Sequence, residues 1–173
     1  MELTRRDALA ALAAAGVAGG AAVLSGDRGE SGPVTDRELA TLVAAGETLY
    51  PSAVEGVEAF VTRYVRGRAR DRPDHAAGMG DAAAYLDEYA DAWYETGFAA
   101  LDPPTRGEAL RRMNADTADP DPGGSDVERV RYYVVNELLF ALYATPTGGR
   151  LVGIENPQGY PGGLGSYRRG PRA

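Results

Sequence analysis

His75 is the only histidine in the chain, and there is no cysteine. Without a second imidazole or any thiolate, a multi-histidine metal site, a zinc–thiolate centre, an iron–sulfur cluster and a c-type haem attachment are excluded. Disulfides are excluded too. A Ser-His-Asp triad could form only through His75, and no Gly-x-Ser-x-Gly elbow accompanies it. His75 sits in RDRPDHAAGMG, a polar stretch that reads as a solvated loop between helices. Neither a Gly-x-Gly-x-x-Gly fingerprint nor a phosphate loop is present. Two carboxylate pairs, Asp87 with Asp91 and Asp119 with Asp121, have spacings suited to acid–base or calcium chemistry. The first pair falls on the polar side of a helical pattern, and the second lies in a loop broken by Pro120 and Pro122. Both read as solvated. No catalytic, cofactor-binding or metal-ligating residue is therefore assigned to this chain.

Two further groups could bind rather than react. Arginines crowd residues 63–72, a basic helix end that could meet an acidic partner or anionic lipid headgroups, or could balance local carboxylates in solvent; the last reading is preferred. Tyr85, Tyr89, Trp93 and Tyr94 form an aromatic group that reads as core, with Tyr94 one step off the main stripe and a possible partner interface.

The elements that position these residues are helical. Thr35 and Glu38 form a capping box, followed by Leu39, Leu42, Val43, Gly46 and Leu49 at helical spacing until Pro51. A second helix carries Val57, Phe60, Val61, Tyr64 and Val65 and closes at Pro73. A third is predicted over residues 81–97. Asp102 before Pro103 and Pro104 opens a short fourth, with Ala109, Leu110 and Met113 on its face. Ser125 and Glu128 give a second capping box, and a long helix follows to about Tyr143. Its stripe of Val127, Val130, Val134, Leu138 and Leu142 makes it the expected central helix. No period-two strand pattern competes. The fold class is all-α: a small bundle of about five helices with a leader helix and an extended tail.

The formal charge is −7, which repels phosphate backbones and argues against nucleic-acid binding. All 18 basic residues are arginine. An acidic, lysine-free surface points to a salt-loving archaeon; a GC-rich genome is the other reading.

The opening MELTRRDALAALAAAGVAGGAAVL resembles a twin-arginine (Tat) signal peptide. Arg5 and Arg6 would hold the cytoplasmic side, and residues 8–24 are uncharged and weakly apolar. Cleavage near Val23, Leu24 and Ser25 and retention as an anchor both remain open. The chain then divides into a leader (1–25), a linker (26–34), a helical domain (35–145) and an extended tail (146–173). The tail is rich in glycine and proline and holds Tyr160 and Tyr167, which suit packing on the domain or on a partner.

Three stretches carry a wider resemblance: the first helix ending in LATLVAAGETLYPS, the pattern Gly56-Val57-Glu58-Ala59-Phe60-Val61, and the tyrosine-rich late helix leading to Asn156-Pro157-Gln158-Gly159-Tyr160-Pro161-Gly162. Together with the leader they make the chain similar to the gluconate 2-dehydrogenase subunit 3 family. The resemblance implies a non-catalytic small subunit of a membrane-associated, FAD-dependent dehydrogenase of the glucose–methanol–choline type. FAD, and haem c where a cytochrome c subunit is present, would belong to the partners. The small subunit would supply Tat export to a leaderless large flavoprotein and stabilise it at the outer face of the membrane or beyond. A self-sufficient exported helical binding or structural protein is the alternative.

Overall fold

In the computed structural model residues 32–151 are described, and every regular element among them is helical. The elements are α1 (Asp36–Leu49), α2 (Val57–Asp71), α3 (Pro73–Tyr94), a 3₁₀ turn (Phe98–Ala100), α4 (Pro103–Arg112), α5 (Asp126–Val130), a π-helical turn (Arg131–Asn136), α6 (Glu137–Tyr143) and α7 (Pro146–Leu151). The chain divides into two compact units, residues 1–138 and 139–173.

In the first unit, both capping boxes form as predicted. Thr35 accepts the Glu38 N–H at 3.3 Å while Glu38 takes the Thr35 N–H at 2.7 Å. Ser125 and Glu128 repeat the arrangement at the start of α5. Asp102 caps α4 through the Thr105 N–H, with Pro103 and Pro104 filling positions that need no amide hydrogen. Gly46 lets α1 approach α2 closely: a Cβ there would lie 2.8 Å from Val61 Cγ2.

Pro73 does two jobs. It stops α2 and, at the first position of α3, starts the next helix, because its missing N–H and fixed φ suit a helix start. α3 therefore begins at Pro73 rather than at Asp81, and His75 lies in its first turn instead of in a solvated loop. α3 also takes the central place expected of the last long helix. It packs on α1, α2, the 3₁₀ turn, α5 and the π turn, through a face rich in alanine and glycine. Of the stripe predicted on the later elements, Val130, Val134 and Leu138 are fully enclosed and Val127 is half-buried.

Asp87 departs from its predicted solvated position, whereas Asp91 is exposed. The 3₁₀ turn folds back on α3, and the Phe98 N–H at its start has no helical acceptor. Asp87 supplies one at 2.8 Å and also pairs with Arg37.

Within the second unit, the described residues comprise the end of α6 and α7. Thr145 opens α7, its hydroxyl accepting the Gly148 N–H at 3.1 Å. Residues 146–151 of the segment predicted to be extended are thus helical; its remainder lies outside the described residues.

Candidate functional site

The most concentrated polar chemistry in the first unit is a largely buried quartet joining α2, α3 and α6. Glu137, at the start of α6, stands at its centre. Tyr64 donates its hydroxyl to Glu137 Oε1 at 2.5 Å, and Arg68 donates Nε–H to the same oxygen at 2.7 Å. Arg68 Nη2 also donates to the Tyr64 hydroxyl at 2.7 Å. His75 Nε2 lies 3.2 Å from the other carboxylate oxygen, Oε2. That approach is close enough for an ion pair with a protonated ring but misaligned for a hydrogen bond, which leaves the buried Nε2 without one.

Helical phase brings these groups together. Tyr64 and Arg68 are four residues apart on the side of α2 that also buries Val61 and Val65. His75 comes in from the first turn of α3. The π turn changes the phase of the final helical run, as an inserted residue does. It sets Tyr132 and Tyr133 about His75, with ring centroids 6.2 and 5.2 Å away. Tyr133 in turn lies on Gly78, where a Cβ would fall 2.5 Å from two ring atoms.

An aromatic column extends the quartet. Phe60 stands between Tyr50 and Tyr64, at 6.1 and 6.4 Å between centroids. The buried Tyr50 hydroxyl donates to the Leu138 carbonyl at 2.8 Å. The YPS end of the first helix, the Phe60 pattern and the late helix, three separate stretches in sequence, thus meet in one place.

The electrostatics make the quartet a brace. Burial pushes the Tyr64 phenol upward, and its hydrogen bond to Glu137 pushes it further, so it remains a donor. Burial alone would lower Arg68, but its bonds to Tyr64 and Glu137 more than offset this and raise it. Tyr50 is likewise raised by burial. Tyr64 stays neutral and Arg68 stays charged, so neither is a proton carrier near neutral pH. No group of three or more His, Asp or Glu side chains suited to a metal ion occurs among the described residues.

Residues 36–162 match the family described as gluconate 2-dehydrogenase subunit 3. The chain belongs to that family. It is therefore an accessory subunit of a dehydrogenase, and its assembly includes partner subunits. No curated protein and no solved structure matches it.

Of the residues singled out in this subunit 3 chain, Arg5, Arg6, Tyr160 and Tyr167 lie outside the described residues. Tyr94 ends α3, half-buried, and its buried hydroxyl has no hydrogen-bond partner. It is not part of the quartet. Trp93 is covered by Arg112, whose guanidinium lies 4.1 Å from the ring centroid. The arginine run does not form one solvated end: Arg68 is in the quartet, Arg70 pairs with Asp71 at 2.7 Å, and Arg63 and Arg66 are exposed. Sequence reasoning missed Glu137 as the centre. The available signal was its place beside Val134 and Leu138 on a buried stripe, since a carboxylate there needs a cation.

Proposed function

We propose that this chain is the non-catalytic small subunit of a membrane-associated, FAD-dependent dehydrogenase of the glucose–methanol–choline type. Its role is to carry a folded large flavoprotein through the Tat translocase and to stabilise it outside the cytoplasm. The family match across 36–162, behind a leader with Arg5 and Arg6, carries this reading. In it, FAD resides in the large subunit and haem c in a cytochrome subunit where one is present. The leader, if uncleaved, tethers the complex to the outer face of the membrane. The quartet is consistent with such a role, since its tyrosine and arginine fix helices rather than transfer protons. Among the described residues no helix is long and apolar enough to cross a membrane.

The deciding experiment changes Arg5 and Arg6 together to lysine. The reading expects a neighbouring gene for a leaderless flavoprotein. In the variant, both that protein and this chain should accumulate in the cytoplasm, and dehydrogenase activity should disappear from the exterior. Export of both proteins by the variant would defeat the escort reading. Turnover of a sugar acid by the purified chain alone would defeat the non-catalytic one.

A further inference from the structure

α2 has two opposed sides. At about 100° per residue, Val61, Val65 and Arg68 share one side, and Ala59, Arg63, Arg66 and Arg70 share the other. The first is committed to the core and the quartet. The second is open. Arg63 and Arg66 are exposed and have no carboxylate partner among the described residues, and Arg70 meets only its neighbour Asp71.

The short side chains of Ala59, Thr62 and Gly67 leave a trough of about 920 Å³ along this row. Glu58 and Thr62 also line a second depression of about 310 Å³ beside α1, where Leu39, Ala40 and Val43 are mixed with the carboxylates of Asp36 and Glu47 and with Arg106. Together they make a groove that is cationic along Arg63, Arg66 and Arg70 and lined by carboxylates beside α1, with Glu58 common to both parts.

We infer that this groove receives an acidic segment of the partner dehydrogenase subunit, its carboxylates on Arg63, Arg66 and Arg70. The inference rests on the proposed function for the identity of the partner. Charge selects the occupant. α2 carries four arginines against two acids in a chain of formal charge −7, so a basic row in which only Arg70 meets a carboxylate contrasts with the rest of the molecule. The chain's terminal segments do not complement it. Residues 152–173 hold Arg168, Arg169 and Arg172 against Glu155 alone, and residues 1–31 hold four acids against three arginines. Glu58, with Asp36 and Glu47 beyond it, repels carboxylates from the depression beside α1, which confines the acidic segment to the arginine row. Guanidinium groups suit the contact because their planar fork pairs bidentately with carboxylates. A membrane surface offers anionic groups as well, but the carboxylates of Asp36, Glu47 and Glu58 beside the row would face it too.

The test uses the full chain and the leaderless flavoprotein encoded beside it, with affinity measured between the purified proteins. The double change Arg63→Glu and Arg66→Glu should weaken binding by about tenfold or more. Ala59→Trp, which fills the trough without altering charge, should also weaken it. Arg111→Glu, exposed on α4, should leave it within about twofold, the scale of a peripheral charge. Helical circular dichroism should be unchanged throughout. If the wild type binds the flavoprotein and the groove variants bind equally well, the groove inference is overturned while the proposed function stands. If the wild type does not bind, both are overturned. Loss of binding to phosphatidylglycerol vesicles in the double variant, with flavoprotein affinity retained, would assign the row to the membrane and overturn the inference.

Discussion

Replacing Glu137 with leucine should cost far more than removing a surface carboxylate. The Glu137 side chain is 11% exposed and that of Arg68 is 20% exposed. Removing one partner of a buried pair costs about 3–5 kcal/mol, because the survivor keeps its charge without compensation. Residual exposure lets water reach Arg68, which lowers the expectation to about 2–4 kcal/mol, including the acceptor lost to Tyr64. For a unit of roughly a hundred residues this corresponds to a fall of about 8–20 °C in Tm. Urea unfolding at fixed salt, followed by far-UV circular dichroism and by fluorescence of the single tryptophan, Trp93, measures it. Arg68→Met alone should be similarly harmful. The double variant Arg68→Met, Glu137→Leu should be less destabilised than the worse single variant, with a coupling of about 1.5 kcal/mol or more. A loss below about 0.5 kcal/mol for Glu137→Leu is the scale of an exposed pair. That result, or simple additivity of the two single losses, would refute the quartet as a buried brace between α2 and α6.

Other substitutions probe the packing around it. Gly78→Ala gains helix propensity but drives a methyl group into the Tyr133 ring, so thermal melting should show a net loss of about 1–2 kcal/mol. Gly67→Ala, with no atom within 4 Å of the added carbon, should instead stabilise by about 0.5–1 kcal/mol. Asp87→Ala leaves the buried Phe98 N–H unsatisfied and should cost about 1–3 kcal/mol; Asp87→Asn keeps an acceptor and should cost less in the same urea titration. The Ser125 hydroxyl and N–H hold Glu128 below its ordinary value of 4.5. The stability this gives is present above that value and is lost as pH falls through the lower folded value. Wild type and Glu128→Gln should therefore differ in Tm at pH 6 and converge in acid, whereas a constant difference would reject the cap's role.

Helix ends were legible because their signals are local. Thr35 with Glu38, Ser125 with Glu128, and Asp102 before two prolines each name a backbone donor within three residues. The buried faces were legible from spacing. The polar centre was not, because its partners lie far apart in sequence: Arg68 and Glu137 are separated by 69 positions. His75 reads as solvated because Pro73 signals a helix stop as strongly as a helix start. Asp87 reads as solvated because the turn that buries it comes from outside its own helix. The π turn left no local signal either. Val127, Val130, Val134 and Leu138 fit an ordinary helical stripe, and an added residue within that run does not erase the pattern.

The two sides of α2 connect the brace to the groove. A buried ion pair adds little stability compared with an apolar replacement, and its best-attested use is to fix one geometry among several. Here that geometry is the rotation of α2. Valines alone would tolerate a small roll of the helix about its axis, since apolar contact is not directional. A guanidinium bonded at 2.7 Å to both a carboxylate and a phenol would not. With Arg68 fixed inward, Arg63, Arg66 and Arg70 on the opposite side point outward together. Bidentate recognition of carboxylates depends on such alignment. The costly polar interior is thus explained without any catalytic duty: it holds an exposed row in register for another protein.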